Sequence, residues 1–160
     1  MSDANAGRGA PRLEPFGLVL HHDGRWSHEG QPILHRGIRE HFDRSVRYLP
    51  AERKFVVTLR HFRGEIAVEE AAFFVRAVDL ARGEIALSDR TRERLDVASL
   101  QASPRDGALL CRVKRELAPE GLLARFGLSA QAELLAAIEP GADGFELALG
   151  GVRVRVPELG

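Results

Sequence analysis

Six histidines, His21, His22, His28, His35, His41 and His61, crowd the first part of this 160-residue chain. Imidazoles grouped in this way could bind a metal or move protons. Zinc hydrolases, however, set two histidines one helical turn apart beside a glutamate, or mix histidine with thiolate. Neither pattern occurs here. The histidines therefore read as surface or hydrogen-bonded groups, with no metal and no cofactor. Glu69-Glu70 could be an acid–base pair, but neighbours on a strand point to opposite faces. One carboxylate beside a cleft is the most this pair supports. Ser27, Ser45, Ser99, Ser103 and Ser129 lack the Gly-x-Ser-x-Gly turn that exposes a nucleophile. No Gly-rich phosphate loop is present either. Cys111 is the sole cysteine, so neither an internal disulfide nor a thiolate cluster can form. It sits in an alternating run with Leu109 and Val113, where a thiol is a small inert hydrophobe. Catalysis is left open by these residues, and the reading leans against it.

Charge placement suggests a different chemistry. Arg36, Arg39, Arg44, Arg47, Arg53, Lys54, Arg60 and Arg63 outnumber Glu40, Asp43 and Glu52 over one segment. An anion or nucleic-acid contact would use such a run. Yet Glu40-Arg44 and Asp43-Arg47 have the spacing of helical ion pairs, which makes a solvated face the simpler reading. The 23 basic and 23 acidic side chains cancel, which argues against a dedicated nucleic-acid binder. Lys54 and Lys114 are the only lysines, and every other basic residue apart from histidine is arginine.

These residues need elements to hold them. A hydrophobic fraction of 44% and a charged fraction of 29% fit one or two small globular domains. Residues 1–15 read as a flexible tail without the apolar stretch of a signal segment, and no run is long enough to span a membrane. A cytoplasmic protein is expected. Residues 18–22 read as a strand closed by Asp23-Gly24 as a two-residue hairpin loop. That register sets His21 opposite Trp26 and Val19 opposite His28. A helix is expected from His35 to Leu49, burying Ile38, Phe42, Val46 and Leu49, with Pro50 ending it.

Strands follow over residues 54–60, 64–69, 72–80 and 84–88, with a short one over 95–100. Residues 108–114 read as a strand, and Pro119 to Ile138 as a second helix. Phe145–Leu149 and Val152–Val156 pair as a hairpin around Gly150-Gly151. That pairing sets Leu149 against Val152, Leu147 against Val154, Phe145 against Val156 and Glu146 against Arg155. The expected core comprises Trp26, Ile33, Ile38, Phe42, Phe55, Val57, Phe73, Val75, Leu109, Phe126, Leu134, Phe145 and Val154.

The run Trp26-x-x-x-Gly30-x-Pro32-Ile33, followed by a helix around Phe42, resembles the opening of the bacterial DUF1285 family. Ile66-x-Val68-Glu69-Glu70-Ala71-Ala72-Phe73-Phe74-Val75 resembles its second hallmark, and Gly150-Gly151 with Val154 to Pro157 its closing hairpin. The resemblance spans most of residues 17–159. It implies a duplicated α+β build, a second half loosely like pleckstrin-homology barrels, and a ligand-sensing or signalling role without an established reaction.

The expectation is thus an α+β protein of two similar halves, residues 16–88 and 89–160, each a small antiparallel sheet with one packed helix. Its leading function is non-catalytic binding of a small molecule or a protein partner between the halves, near Trp26, His28, Arg36 and Glu69. Anion or nucleic-acid binding through residues 36–63 and an enzyme of unknown class are the alternatives. The sequence leaves oligomeric state open.

Overall fold

A computed structural model of the chain describes residues 13–59 and 62–159. The chain is α+β and divides into two compact units, Met1–Ala72 and Phe73–Gly160. The division falls before residues 73–88, which pair with strands of the second unit rather than the first. Of the expected tail, residues 1–12 lie outside the described residues, and Leu13–Pro15 are strand.

The first unit holds β1 (Leu13–Leu20), β2 (Trp26–His28) and β3 (Gln31–Pro32), then α1 (Arg36–Ser45). It ends with β4 (Val46–Leu49), β5 (Lys54–Leu59) and β6 (Phe62–Val68). Its sheet runs β3-β2-β1-β6-β5-β4. Two antiparallel meanders therefore meet at their first and last strands, and β1 and β6 pair in parallel.

The second unit repeats this plan. It holds β7 (Phe73–Asp79), β8 (Glu84–Leu87), β9 (Arg92–Arg94), a short 3-10 turn at Val97–Ser99, β10 (Gln101–Ala102), β11 (Leu109–Val113) and β12 (Leu122–Phe126). The order β10-β11-β12-β7-β8-β9 again joins two meanders through a parallel pair of first and last strands, β7 and β12. The likeness of the halves thus lies in mixed six-stranded sheets, larger than the small antiparallel ones expected. The second unit then adds α2 (Leu128–Ala137) and the meander β13 (Ile138–Gly141), β14 (Gly144–Leu149) and β15 (Val152–Val156).

Both helices are shorter than their apolar spacing predicts. Val46 and Leu49 continue the stripe of α1, yet Val46 is the first residue of β4 and pairs with Val57. β-Branched and aromatic residues suit a strand there, and Ile38 at the helix start stays 44% exposed. The Pro119–Ile138 helix gives way to β12 up to Phe126, with Gly127 as the N-cap of α2. The expected strand over residues 95–100 is the 3-10 turn. The C-terminal hairpin has the expected register at every pair.

The core of the first unit gathers Leu18, Leu20, Trp26, Phe42, Val46, Val57 and Ile66. That of the second gathers Phe73, Val75, Ile85, Leu109, Leu110, Val113, Phe126, Leu134 and Leu147. Phe73, Phe74 and Val75 are buried in succession, as expected of a central strand covered on both faces. Ile33, Phe55 and Val154 are only half-buried, and Phe145 is exposed.

Cys111 is fully buried in β11, and burial pushes its thiol up to about 12. Only a thiolate attacks a disulfide reagent. Native protein should therefore leave Ellman's reagent unreacted for as long as it stays folded, and react fully in 6 M guanidinium. Fast native reaction would contradict the packing of β11.

Candidate functional site

The hairpin between β1 and β2 sets the geometry of a polar cluster. Gly24 donates its N–H to the His21 carbonyl, and His21 donates to that of Arg25. The loop is therefore the three residues His22-Asp23-Gly24, with Gly24 at φ +90° as this turn requires. The extra residue shifts the register by one from the two-residue loop: Leu20 pairs with Trp26 and Val19 with Ser27. Leu18 and Leu20 thereby share the buried face with Trp26, and a slip of one would have buried the other face. His21 leaves Trp26 and comes to lie beside Ser27.

Glu69, just after β6, closes the cluster. Its N–H donates to the Leu20 carbonyl at 2.9 Å, which anchors it beside the hairpin. Its Oε2 lies 3.1 Å from His21 Nδ1. Its Oε1 takes the His22 backbone N–H at 3.2 Å and also the His22 Nδ1. An ionised carboxylate only accepts, so both imidazoles carry their proton on Nδ1. His21 Nε2 lies 2.9 Å from the Ser27 hydroxyl, which donates to it when the imidazole is neutral. The result is a chain of three groups in fixed order: serine hydroxyl, imidazole, carboxylate. The His21 and Glu69 side chains keep 29% and 26% of their surface exposed, and Ser27 keeps 8%.

The residues singled out from sequence divide among different surroundings. Trp26 is core at 1% exposure: its ring meets Phe42 at 5.3 Å, and Nε1 donates to Asp43 at 2.9 Å. His28 is exposed at the end of β2. Arg36 opens α1, exposed and paired with Glu40 at 2.8 Å. Only Glu69 joins the cluster; its companions His21, His22 and Ser27 are residues the sequence reading sets aside, because their spacing alone does not join them. Cross-strand parity carried the signal, because Leu18 and Leu20 belong on one face with Trp26.

Part of the basic segment is held in local contacts. Besides Arg36 and Glu40, Lys54 meets Glu65 at 3.1 Å, and Arg47 donates to the carbonyls of Arg44 and Val46 at the end of α1. His35 caps α1 by accepting the Ile38 N–H. Arg60 and His61 lie outside the described residues. Among the described residues, no group of three or more His, Cys, Asp or Glu has metal-binding geometry, and no helix is long and apolar enough to cross a membrane.

The second unit offers space where the cluster offers chemistry. A recess of about 590 Å³ lies between Leu135 of α2, Ile138 of β13, Phe145 of β14, Val156 of β15 and the closing residues Pro157–Leu159. A second hollow of about 460 Å³ shares Phe145, Val156, Pro157 and Glu158 and adds Ala98, Asp143, Gly144 and Arg155. Phe145 stands between them, 58% exposed.

No protein-family model matches the chain, and no curated protein matches it by sequence. A solved structure matches in fold: a DUF1285 family protein from Silicibacter pomeroyi DSS-3, with a TM-score of 0.62 and 19% identity over 89% of this chain and 81% of that one. In fold, the chain resembles a DUF1285 family protein. A second DUF1285 family protein, from Shewanella baltica OS155, aligns with a TM-score of 0.49 and 15% identity over 76% of this chain and 91% of its own. Within the DUF1285-like fold, β6 and β7 flank Glu69-Glu70-Ala71-Ala72, the stretch that carries the acidic centre of the cluster.

Proposed function

We propose that the protein is a small-molecule-binding module in a sensing role, its ligand held in the recess around Phe145. The observation that carries this reading is the exposed Phe145 ring between two adjoining hollows, each of ligand-sized volume. An aromatic side chain left in water is a ready contact surface for an apolar body. Arg155, Asp143 and Glu158 line the smaller hollow and supply both signs of charge there. A small zwitterion with an apolar side chain, such as a free aliphatic or aromatic amino acid, fits that combination.

Thermal unfolding against amino acids and related zwitterions tests the reading. A ligand at 100 times its dissociation constant stabilises the folded state by about 2.7 kcal/mol. For a chain of this size that is a rise in midpoint of roughly 5–10 °C. Phe145→Ser should abolish the rise while leaving the unliganded midpoint within about 2 °C, since the ring is exposed. A rise that persists in Phe145→Ser places the ligand elsewhere, and no rise with any compound overturns the reading.

A further inference from the structure

We propose that Ser27, His21 and Glu69 form a base-activated serine centre that transfers acyl groups from small carboxylic esters to water. The proposal uses residues of the first unit only and stands apart from ligand binding at Phe145. It rests on the order of atoms in the chain: Ser27 Oγ lies 2.9 Å from His21 Nε2, and His21 Nδ1 lies 3.1 Å from Glu69 Oε2. The same contacts set the tautomer of the neutral imidazole. Ionised Glu69 only accepts, so a neutral His21 holds its proton on Nδ1 and presents the Nε2 lone pair to the hydroxyl. That is the tautomer in which an imidazole can take a serine proton. His22 holds the other carboxylate oxygen through both its backbone N–H and its ring, so Glu69 is braced from two sides.

The reaction would run as follows in atoms. Ser27 Oγ bonds to the ester carbonyl carbon as its proton passes to His21 Nε2, and the imidazolium is held by Glu69. Collapse breaks the bond to the alkoxy oxygen, which leaves as an alcohol with the proton from Nε2. Water then attacks the acyl-serine, gives a proton to Nε2, and releases the carboxylic acid as the proton returns to Oγ. The sum is ester plus water to acid plus alcohol, with no oxidant, metal or cofactor. Ser27 and His21 are the catalytic residues here, and Glu69 is a positioning residue. Ser27 keeps 8% of its surface exposed, so the probe esters are small.

A biotinylated alkyl fluorophosphonate on the full chain, with p-nitrophenyl acetate as a second probe, tests this. The expected result is one phosphonyl group per chain, on the peptide holding Ser27, with esterase activity lost in step. His21→Asn should slow labelling about 100-fold or more, with circular dichroism confirming that the variant is folded. Glu69→Gln should slow it about tenfold and displace the pH profile of the labelling rate, which a merely structural carboxylate would leave in place. Should His21→Asn fail to fold, the Glu69→Gln profile decides. Wild-type protein left unlabelled at millimolar probe, label on another serine, or a rate indifferent to His21 and Glu69 would each overturn the proposal.

Discussion

Replacing Lys114 with methionine is expected to destabilise the second unit by about 3–5 kcal/mol, since the change strands a buried carboxylate. Lys114 Nζ meets Asp89 Oδ2 at 2.7 Å and Thr91 Oγ1 at 3.1 Å, with the side chains of the ion pair almost wholly buried. The ammonium also lies 4.9 Å from the centre of the Phe73 ring, and the Lys114 backbone N–H reaches the Glu93 carboxylate. Its backbone holds φ +54°, unusual for a residue with a side chain. A chain that otherwise uses arginine almost throughout keeps a lysine here, a compact point charge set between Asp89, Thr91 and the Phe73 ring. Urea melts should show the loss, and the double variant Lys114→Met with Asp89→Asn should recover about 2 kcal/mol of it.

The pH dependence gives the same pair a second signature. Burial disfavours the Asp89 charge, but hydrogen bonds from Lys114 and Thr91 outweigh it and hold the carboxyl below the ordinary range. A depressed acid contributes stability that is present above its unfolded pKa of about 4 and is lost as pH falls through the folded value. Glu93 works in the opposite sense, because burial and the charges of Glu116 and Asp89 raise it. The penalty of Lys114→Met should therefore be full at neutral pH and shrink in acid, where Asp89 is neutral with or without its partner. A penalty that stays constant from pH 7 to pH 3 would show that packing, not charge, is what Lys114 supplies.

Trp26→Ala should cost the first unit about 3–5 kcal/mol, the usual toll for emptying a buried aromatic site. Trp26→Phe should cost about 1.5–3 kcal/mol, since it keeps an aromatic ring beside Phe42 and loses mainly the charge-assisted bond to Asp43. Denaturant melts that rank alanine well below phenylalanine would confirm that packing dominates. Equal losses would assign the stability to the indole N–H instead. Either result makes Trp26→Ala a poor probe of ligand binding, a task that falls to the exposed Phe145.

What could be read from sequence followed the strength of the local pattern. The C-terminal hairpin was fully legible, because strict alternation on both sides of Gly150-Gly151 leaves one register that aligns the apolar residues. The ends of α1 were not. Val46 and Leu49 satisfy a helical stripe and a strand equally well, and only pairing with β5 decides between them. Likewise Leu122-Leu123-Ala124-Arg125-Phe126 is built from good helix formers, yet it pairs with β7 and β11. Tertiary pairing overrides propensity there. The polar cluster was hidden for two reasons. Glu69 is far from His21 in sequence, and the one-residue choice of hairpin loop decides whether His21 neighbours Trp26 or Ser27.

The parallel pairing of first and last strands has a consequence for how the protein is made. β1 leaves the ribosome well before β6, its central partner, and the chain between them takes a few seconds to synthesise at roughly 5–20 residues per second. Through that interval the β1–β2–β3 meander carries an open edge at what will become the middle of its sheet. β7 then waits for β12 in the same way. Each unit therefore passes through a stage in which its most central strand is also its stickiest, and nascent chains stalled between those strands are where aggregation or chaperone capture would concentrate.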